Sequence, residues 1–453
     1  MGREEGEDYP CGKMMFSALS REEIIRKYQE LEKNYERVTK EKEALERELR
    51  KYKNPNTPPS AHPHLKSNNS IIKLGAPRGA PRGHPGTTRP KGVADEIRHI
   101  TSCECPNCHS KDIEVLRQEH QQQEELPPEI ELKVVDITRD ICKCNHCHLK
   151  FTAKDGATPI QGKFGVNLMV LVIFLKFIVR GVLRKTACFL DASFDLKLAP
   201  ATVQAIIERA SAAGEKEYLQ LKEKIRQAPL LYIDETSFRV LGKNWWVWVF
   251  RSDTNLLLVI RNSRGNNVLE EILEKEYAGI VVCDCWRAYD FLSNAVLQRC
   301  WAHLLRKSKE LETVPGRHFH KKLSGLFDEI IKFNRKERSE KQRARKYTLL
   351  TAELHKIVSY YSKYEECEGV VKYVDFHLGS WFNCVKFAGV QPTNNYAEQA
   401  IRETVLVRKI IGAFRSEKGT KTYETLASLI ATWQIQRLDL KKELHRMLAT
   451  NLC

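Results

Sequence analysis

Between residues 229 and 284 apolar runs and polar turns alternate in an order that few folds accommodate. Pro229-Leu-Leu-Tyr-Ile-Asp234 is followed by Trp245-Trp-Val-Trp-Val-Phe250 and Asn255-Leu-Leu-Leu-Val-Ile260. Three β-branched or aromatic runs separated by turn signals read as an antiparallel meander. Gly265 to Glu276 then has helical character, with Val268, Leu269, Ile272 and Leu273 on one face, and leads into Gly279-Ile-Val-Val-Cys-Asp284. The expected order is strand, strand, strand, helix, strand, with the first and fourth strands each ending in Asp.

Taken singly, an Asp that closes a strand is a common turn former. Two such residues in this order, joined by Glu398 in the helical stretch Thr393-Asn-Asn-Tyr-Ala-Glu398-Gln-Ala-Ile-Arg402, make a candidate hard-oxygen ligand set. Asp234, Asp284 and Glu398 together suit a pair of Mg²⁺ or Mn²⁺ ions about 3.5–4 Å apart. At about 100° per residue, Arg402 and Lys409 fall within about 40° of the Glu398 direction, placing two cations on the same helical stripe. An ordinary i, i+4 surface pair between Glu398 and Arg402 fits the spacing as well, and Glu403 and Glu417 are competing carboxylates.

The element order resembles the ribonuclease-H-like fold of DDE transposases and retroviral-type integrases. Asp234-Glu-Thr236 before a Trp-rich strand, Cys283-Asp284-Cys-Trp-Arg-Ala-Tyr289, Cys300-Trp-Ala-His303 ahead of Arg306 and Lys307, and Asn394-Asn-Tyr-Ala-Glu398 followed by Arg408-Lys409 are similar to motifs of the insertion-sequence-sixty-six transposase family. That family usually carries a small residue, typically Gly, after the second Asp, where this chain has Cys285 and Trp286. The resemblance implies Asp234, Asp284 and Glu398 as catalytic metal ligands. It places Cys300 and His303 in the family signature, with His303 as a secondary catalytic or DNA-contacting residue.

Outside this region the chain is modular, and the expected class is multidomain α+β. Residues 20–53 carry Ile24, Tyr28, Leu31, Tyr35, Val38, Lys42, Leu45, Leu49 and Tyr52 in alternating four- and three-residue steps. This is the a/d spacing of a coiled coil, with a single helix packed on its own chain as the alternative. Residues 54–98 form a basic linker: from Ser60 to Val93 there is no acidic residue, while Lys66, Lys73, Arg78, Arg82, Arg89 and Lys91 are interleaved with Pro, Gly and His. Too little apolar surface is available there for independent folding. The net charge of +16, from 74 basic and 58 acidic residues, points to a polyanionic partner such as double-stranded DNA.

Fourteen cysteines and no signal-peptide pattern point to a reducing, cytoplasmic setting and to metal or structural roles. Within 99–155, Cys103-Glu-Cys105-Pro-Asn-Cys108 and Cys142-Lys-Cys144-Asn-His-Cys147 form two knuckles. Cys105, Cys108, Cys144 and Cys147 are the expected ligands of a closed Zn²⁺ site. Cys103, Cys142 and the neighbouring histidines could substitute, and Ile130 to Ile137 is expected to be a strand or hairpin arm between the knuckles. Phe164 to Val179 is apolar but too short to span a membrane and is interrupted by Lys176, so a buried helix is expected. Within 160–225 the helical patterns fit either a helix-turn-helix or a plain helical hairpin. The catalytic domain is expected over 226–440, with a helical insertion about 311–390 and a tail at 441–453.

These readings converge on a transposase of an insertion sequence, binding element-end DNA and carrying out Mg-dependent strand cleavage and strand transfer. It would act in a prokaryotic cytoplasm in association with the nucleoid. Homodimers or larger assemblies and element-encoded accessory proteins are implied partners. A zinc-dependent DNA-binding protein with an inactive nuclease-like domain, or a structure-specific nuclease, would share many of these features.

The heptads generate a test of their own. Leu31→Glu with Leu45→Glu places carboxylates in an apolar seam, so the double variant is expected to sediment as a smaller species and to lose coupled processing of two DNA ends. An unchanged solution mass with paired-end joining intact would exclude pairing through this segment.

Overall fold

The computed structural model describes residues 21–52, 107, 109, 111, 132–143, 145–147 and 149–453. The basic linker and knuckle residues Cys103, Cys105, Cys108 and Cys144 lie outside them. The chain divides into two compact units, Met1–Glu124 and Glu125–Cys453. Helix α1, Arg21–Tyr52, lies in the first, and Leu31, Tyr35, Val38 and Leu45 along it are exposed.

The first described residues of the second unit, 132–140, have no regular secondary structure and leave Leu132, Val134, Val135 and Ile137 exposed. The strand expected here does not form over the described residues, where the apolar side chains have no sheet face to cover. A hairpin comes next, β1 (Ile141–Lys143) against β2 (Lys150–Thr152), with exposed Cys147 in its turn.

Three helices lead on from the hairpin: α2 (Val166–Phe177), α3 (Leu183–Phe194) and α4 (Pro200–Arg226). As expected, α2 is a packed helix, with Met169, Val172 and Ile173 buried, and no described helix is long and apolar enough to cross a membrane. Val203, Ile206 and Ile207, the apolar face of the expected second helix, are buried in the core that also receives the central sheet. A 27-residue helix thus runs to within four residues of the first strand of that sheet, and residues 160–225 share one core with the sheet rather than forming a separate module.

The sheet comprises β3 (Leu230–Val240), β4 (Lys243–Arg251), β5 (Leu256–Arg261), then helix α5 (Asn266–Leu273), β6 (Ile280–Cys283) and β7 (Val296–Arg299). Its spatial order is β5-β4-β3-β6-β7, with β3, β4 and β5 antiparallel and β3, β6 and β7 parallel. The meander, the helix and its buried face of Val268, Leu269, Ile272 and Leu273 match the sequence pattern.

After β7 come α6 (Trp301–Lys309), α7 (Val314–Asn334), α8 (Glu340–Tyr361), α9 (Glu368–Asp375) and the short α10 (Asn383–Lys386). The expected helical insertion therefore has its own core, built around Trp301, Phe319, Trp381 and Phe382, and touches the sheet through Tyr232 and Val282. The chain closes with α11 (Asn395–Ile411), β8 (Ala413–Phe414), α12 (Glu417–Ile435) and α13 (Leu440–Leu452). Residues 441–453, expected as a C-terminal tail, lie largely in α13, whose Leu444, Met447 and Leu448 are buried against the main core.

Strand alternation divides the sheet between two layers. Leu231, Ile233, Trp248, Phe250, Leu257 and Val259 face α4, α5 and α13, while Phe238, Val247, Val249, Leu256, Leu258 and Ile260 face α11. Helix α12 seals the β5 edge in an unusual way. The Glu424 carboxylate accepts from Ile260 N at 3.1 Å, Ser428 Oγ from Leu258 N at 2.9 Å and Thr432 Oγ1 from Leu256 N at 3.0 Å. Four residues of helix rise about 6 Å and two residues of strand about 6.8 Å, so polar side chains at i, i+4 and i+8 meet every second residue of the strand. The helix supplies what a further strand would have supplied, and the edge is closed to outside pairing.

Ser428→Ala and Thr432→Val are each expected to lower unfolding free energy by about 1–3 kcal/mol, because each leaves a buried strand N–H without an acceptor. Denaturant unfolding of the two single variants checks this. Changes under about 0.5 kcal/mol in both would mean the ladder adds nothing.

Candidate active site

The sheet opens where β6 ends. Parallel pairing of β3 with β6 runs only from Leu230↔Ile280 to Tyr232↔Val282, because β6 is four residues long. Asp234 lies just beyond the last pair and Asp284 directly follows β6. Asp234 does not end its strand as the sequence pattern implied: β3 continues to Val240, still paired with β4, and Asp234 sits opposite Val249. Pairing with β4 carries the strand past the apolar run, while pairing with β6 stops before Asp234.

Helix α11 occupies that gap. Two β3 carbonyls beyond the last β6 pair accept from α11 and its cap: Ile233 O from Asn394 Nδ2 at 2.6 Å, and Ser237 O from Arg408 Nη1. Asn394 precedes α11 but makes no side-chain cap bond to the helix. Its backbone N–H donates to Cys300 Sγ at 3.1 Å, and its carbonyl accepts from Glu398 N at 3.0 Å. One fully buried residue therefore ties together β3 just before Asp234, the start of α6, and the turn that carries Glu398. Trp301 N adds a bond to Pro392 O at 3.0 Å.

Asp284 is held from behind. Arg299, fully buried, donates to the Asp284 carbonyl at 2.7 Å and pairs with Asp290, while Trp286 N donates to Asp284 Oδ1 at 2.8 Å. Cys285 and Trp286 do not adopt positive φ, so this turn makes no demand for glycine. The Trp286 ring instead lies on the Arg264 guanidinium at 4.2 Å, and Arg264 Nε binds Glu235 Oε1 at 2.9 Å. Glu235 is a buried carboxylate that the sequence motifs do not single out. Tyr289 Oη also donates to it, at 2.7 Å. An acidic residue at an inward position of a strand was the available signal.

The electrostatics link the three expected carboxylates. Burial, then the charges of Glu235, Asp284 and Glu398, push Asp234 up to about 8, partly opposed by the Glu235 N–H on Asp234 Oδ1 at 3.0 Å. Glu235 is itself raised by burial and by Asp284, with Tyr289 and Arg264 opposing. Glu398 turns one oxygen toward His303 of α6: Oε1 and Nδ1 are 3.8 Å apart, beyond hydrogen-bond distance. The competitor Glu403 is bound by Arg180 through two bonds of 2.6 and 2.7 Å, and Glu417 is exposed in the first turn of α12. Arg402 and Lys409 are exposed on α11, as are Arg306 and Lys307 on α6. The cation that turns inward is Arg408, not Lys409.

The knuckle ligands Cys105, Cys108 and Cys144 lie outside the described residues, and of the expected four only Cys147 is described.

The sequence matches the family model described as Transposase IS66 family over residues 161–422, more than half of the chain. It is also 23% identical over 372 residues to an uncharacterized protein, y4hP, of Sinorhizobium fredii, covering 72% of this chain and 66% of that protein. The chain thus spans just under two thirds of that relative's length.

In metal-free protein Asp234 binds its proton more tightly when folded than when unfolded, so stability falls as pH rises between 3.8 and about 8. Asp234→Asn removes that liability. In chelator the variant is expected to melt above the wild type at about pH 9, with the gap closing towards about pH 4. A gap independent of pH would show that ionisation of buried Asp234 is not its cause.

Proposed function

Because the chain belongs to the transposase IS66 family, we propose that it is a DDE transposase that cleaves and joins DNA strands with Asp234, Asp284 and Glu398 as its metal ligands. The observation that carries this reading is the site's unbalanced negative charge. A half-buried carboxylate raised to about 8 by burial and by the charges of Glu235, Asp284 and Glu398 is a poor structural group and a good cation ligand. The donors are carboxylate oxygens, which suit Mg²⁺ or Mn²⁺. When bound, such ions activate an attacking oxygen and stabilise the leaving oxygen of an in-line phosphoryl transfer.

The chain's own residues supply position and charge. Asn394 and Arg299 hold the backbone at Ile233, Glu398 and Asp284, and the Trp286 amide holds the Asp284 carboxylate, which would limit reorganisation at reaction. His303 backs Glu398 from α6. Exposed Arg306, Lys307, Arg402 and Lys409 line the helices that carry His303 and Glu398 and would hold DNA phosphates on either side of the scissile bond. The order β5-β4-β3-β6-β7, with the carboxylates where β3 and β6 part and on the helix that fills the gap, supports the ribonuclease-H-like reading. Water attack at an element end, then attack of the freed 3′ hydroxyl on target DNA, would need no covalent protein–DNA link.

The exposed stripe on α1 supports pairing of protomers, so that two element ends are handled together. The knuckle cysteines would hold Zn²⁺ in a module that positions those ends, and accessory proteins encoded with the element would complete the assembly.

Asp234→Asn, Asp284→Asn and Glu398→Gln are each expected to reduce Mg²⁺-dependent strand cleavage by at least about a thousandfold while DNA affinity stays within a few-fold. Gel assays on labelled element ends, with separate binding isotherms, measure both. Cleavage retained in any one variant removes that residue from the site, and cleavage without joining of 3′-hydroxyl ends would make the protein a nuclease.

A further inference from the structure

Behind Glu398 lies a second set of donors of a different chemical kind. Cys300 Sγ, His303 Nδ1 and a Glu398 carboxylate oxygen all lie within 4.8 Å of one another. They come from the end of β7, the first turn of α6 and the first turn of α11, the junction that Asn394 ties together. His303 Nδ1 and Glu398 Oε1 are both sealed from solvent, and neither has a hydrogen-bond partner. Buried polar atoms of this kind ordinarily have a partner.

We propose that Cys300, His303 and Glu398 form a binding site for a thiophilic divalent cation of the Zn²⁺ or Co²⁺ class. The 3.8 Å between His303 Nδ1 and Glu398 Oε1 is too long for a hydrogen bond and a few tenths of an ångström longer than an edge of a tetrahedron whose bonds are about 2.0–2.2 Å, so a bound ion would draw the two donors slightly together. One sulfur, one imidazole nitrogen and one carboxylate oxygen are the donors that Zn²⁺ accepts together and that Mg²⁺ does not. Three protein ligands leave a fourth position for water. On binding, the Cys300 thiol proton passes to solvent and the sulfur becomes a thiolate. The Asn394 N–H at 3.1 Å already points at that sulfur and would stabilise its charge. Glu398 uses one oxygen here and keeps the other for the cleft holding Asp234 and Asp284. The site is argued from donor geometry and stands whether or not the cleft cuts DNA.

The test is Co²⁺ titration of the full chain, stripped by chelator and held in excess Mg²⁺, read by equilibrium binding and by thiolate-to-cobalt charge-transfer absorption. Cys300→Ser is expected to bind one Co²⁺ fewer than wild type and to lose the matching share of the absorption band. That difference cancels every other thiolate in the chain. His303→Gln and Glu398→Gln, which keep the thiol and do not disturb its bond from Asn394, should weaken this one ion at least about tenfold. Asp234→Asn should leave it unchanged. Equal Co²⁺ binding and equal absorption in wild type, Cys300→Ser and His303→Gln would overturn the proposal. So would loss of the same ion in Asp234→Asn, which would assign it to the carboxylate cleft.

Discussion

The geometry of the cleft depends on one buried amide. Asn394 binds the last β3 carbonyl before Asp234, receives the first helical N–H of the Glu398 turn and donates to the sulfur that begins α6. The three elements come from positions about 60 to 160 residues apart in the chain, and among the described residues Asn394 is the one that bonds to all three, with Trp301 N on Pro392 O and Arg408 on Ser237 O adding pairwise ties. Apolar contacts are non-directional and tolerate sliding. Hydrogen bonds in a low-dielectric interior do not, since misalignment leaves a polar group buried and unpaired.

The same physics recurs at both sides of the sheet. Where β6 stops, Asn394 and Arg408 answer the exposed carbonyls of β3. Where β5 has no neighbour, Glu424, Ser428 and Thr432 answer its N–H groups. Helices thus complete a five-strand path through their side chains. The result is a sheet with a local opening: strand pairing is withdrawn beside Asp234, and the helix that fills the space brings Glu398 with it.

Charge in that opening is sorted by partner. Glu235, one residue from Asp234, faces the opposite layer and is neutralised locally by Arg264 and hydrogen-bonded by Tyr289. Arg264 is in turn covered by Trp246 and Trp286, which gives Trp286 a packing role beside Asp284. Glu403 is taken up by Arg180. Asp234 is left to the charges of Glu235, Asp284 and Glu398, with only the Glu235 N–H opposing them.

Element order was legible in the amino-acid pattern. The meander, the amphipathic α5 and the separate helical insertion could be read because alternation and helical spacing are set by local burial. Asp234 and Asp284 also stood out as polar residues at the borders of apolar runs, and Glu398 as a carboxylate within a helical stretch. Long-range contacts, in contrast, decided where β3 ends, that 160–225 and 440–452 belong to the main core, and that Arg408 rather than Lys409 turns inward. They alone revealed Asn394 as a junction, Glu235 as a buried anion, and Cys300, His303 and Glu398 as neighbours. These facts depend on which distant backbone groups a side chain meets, and a one-dimensional pattern records a residue's tendency to be buried but not the partner it will find there.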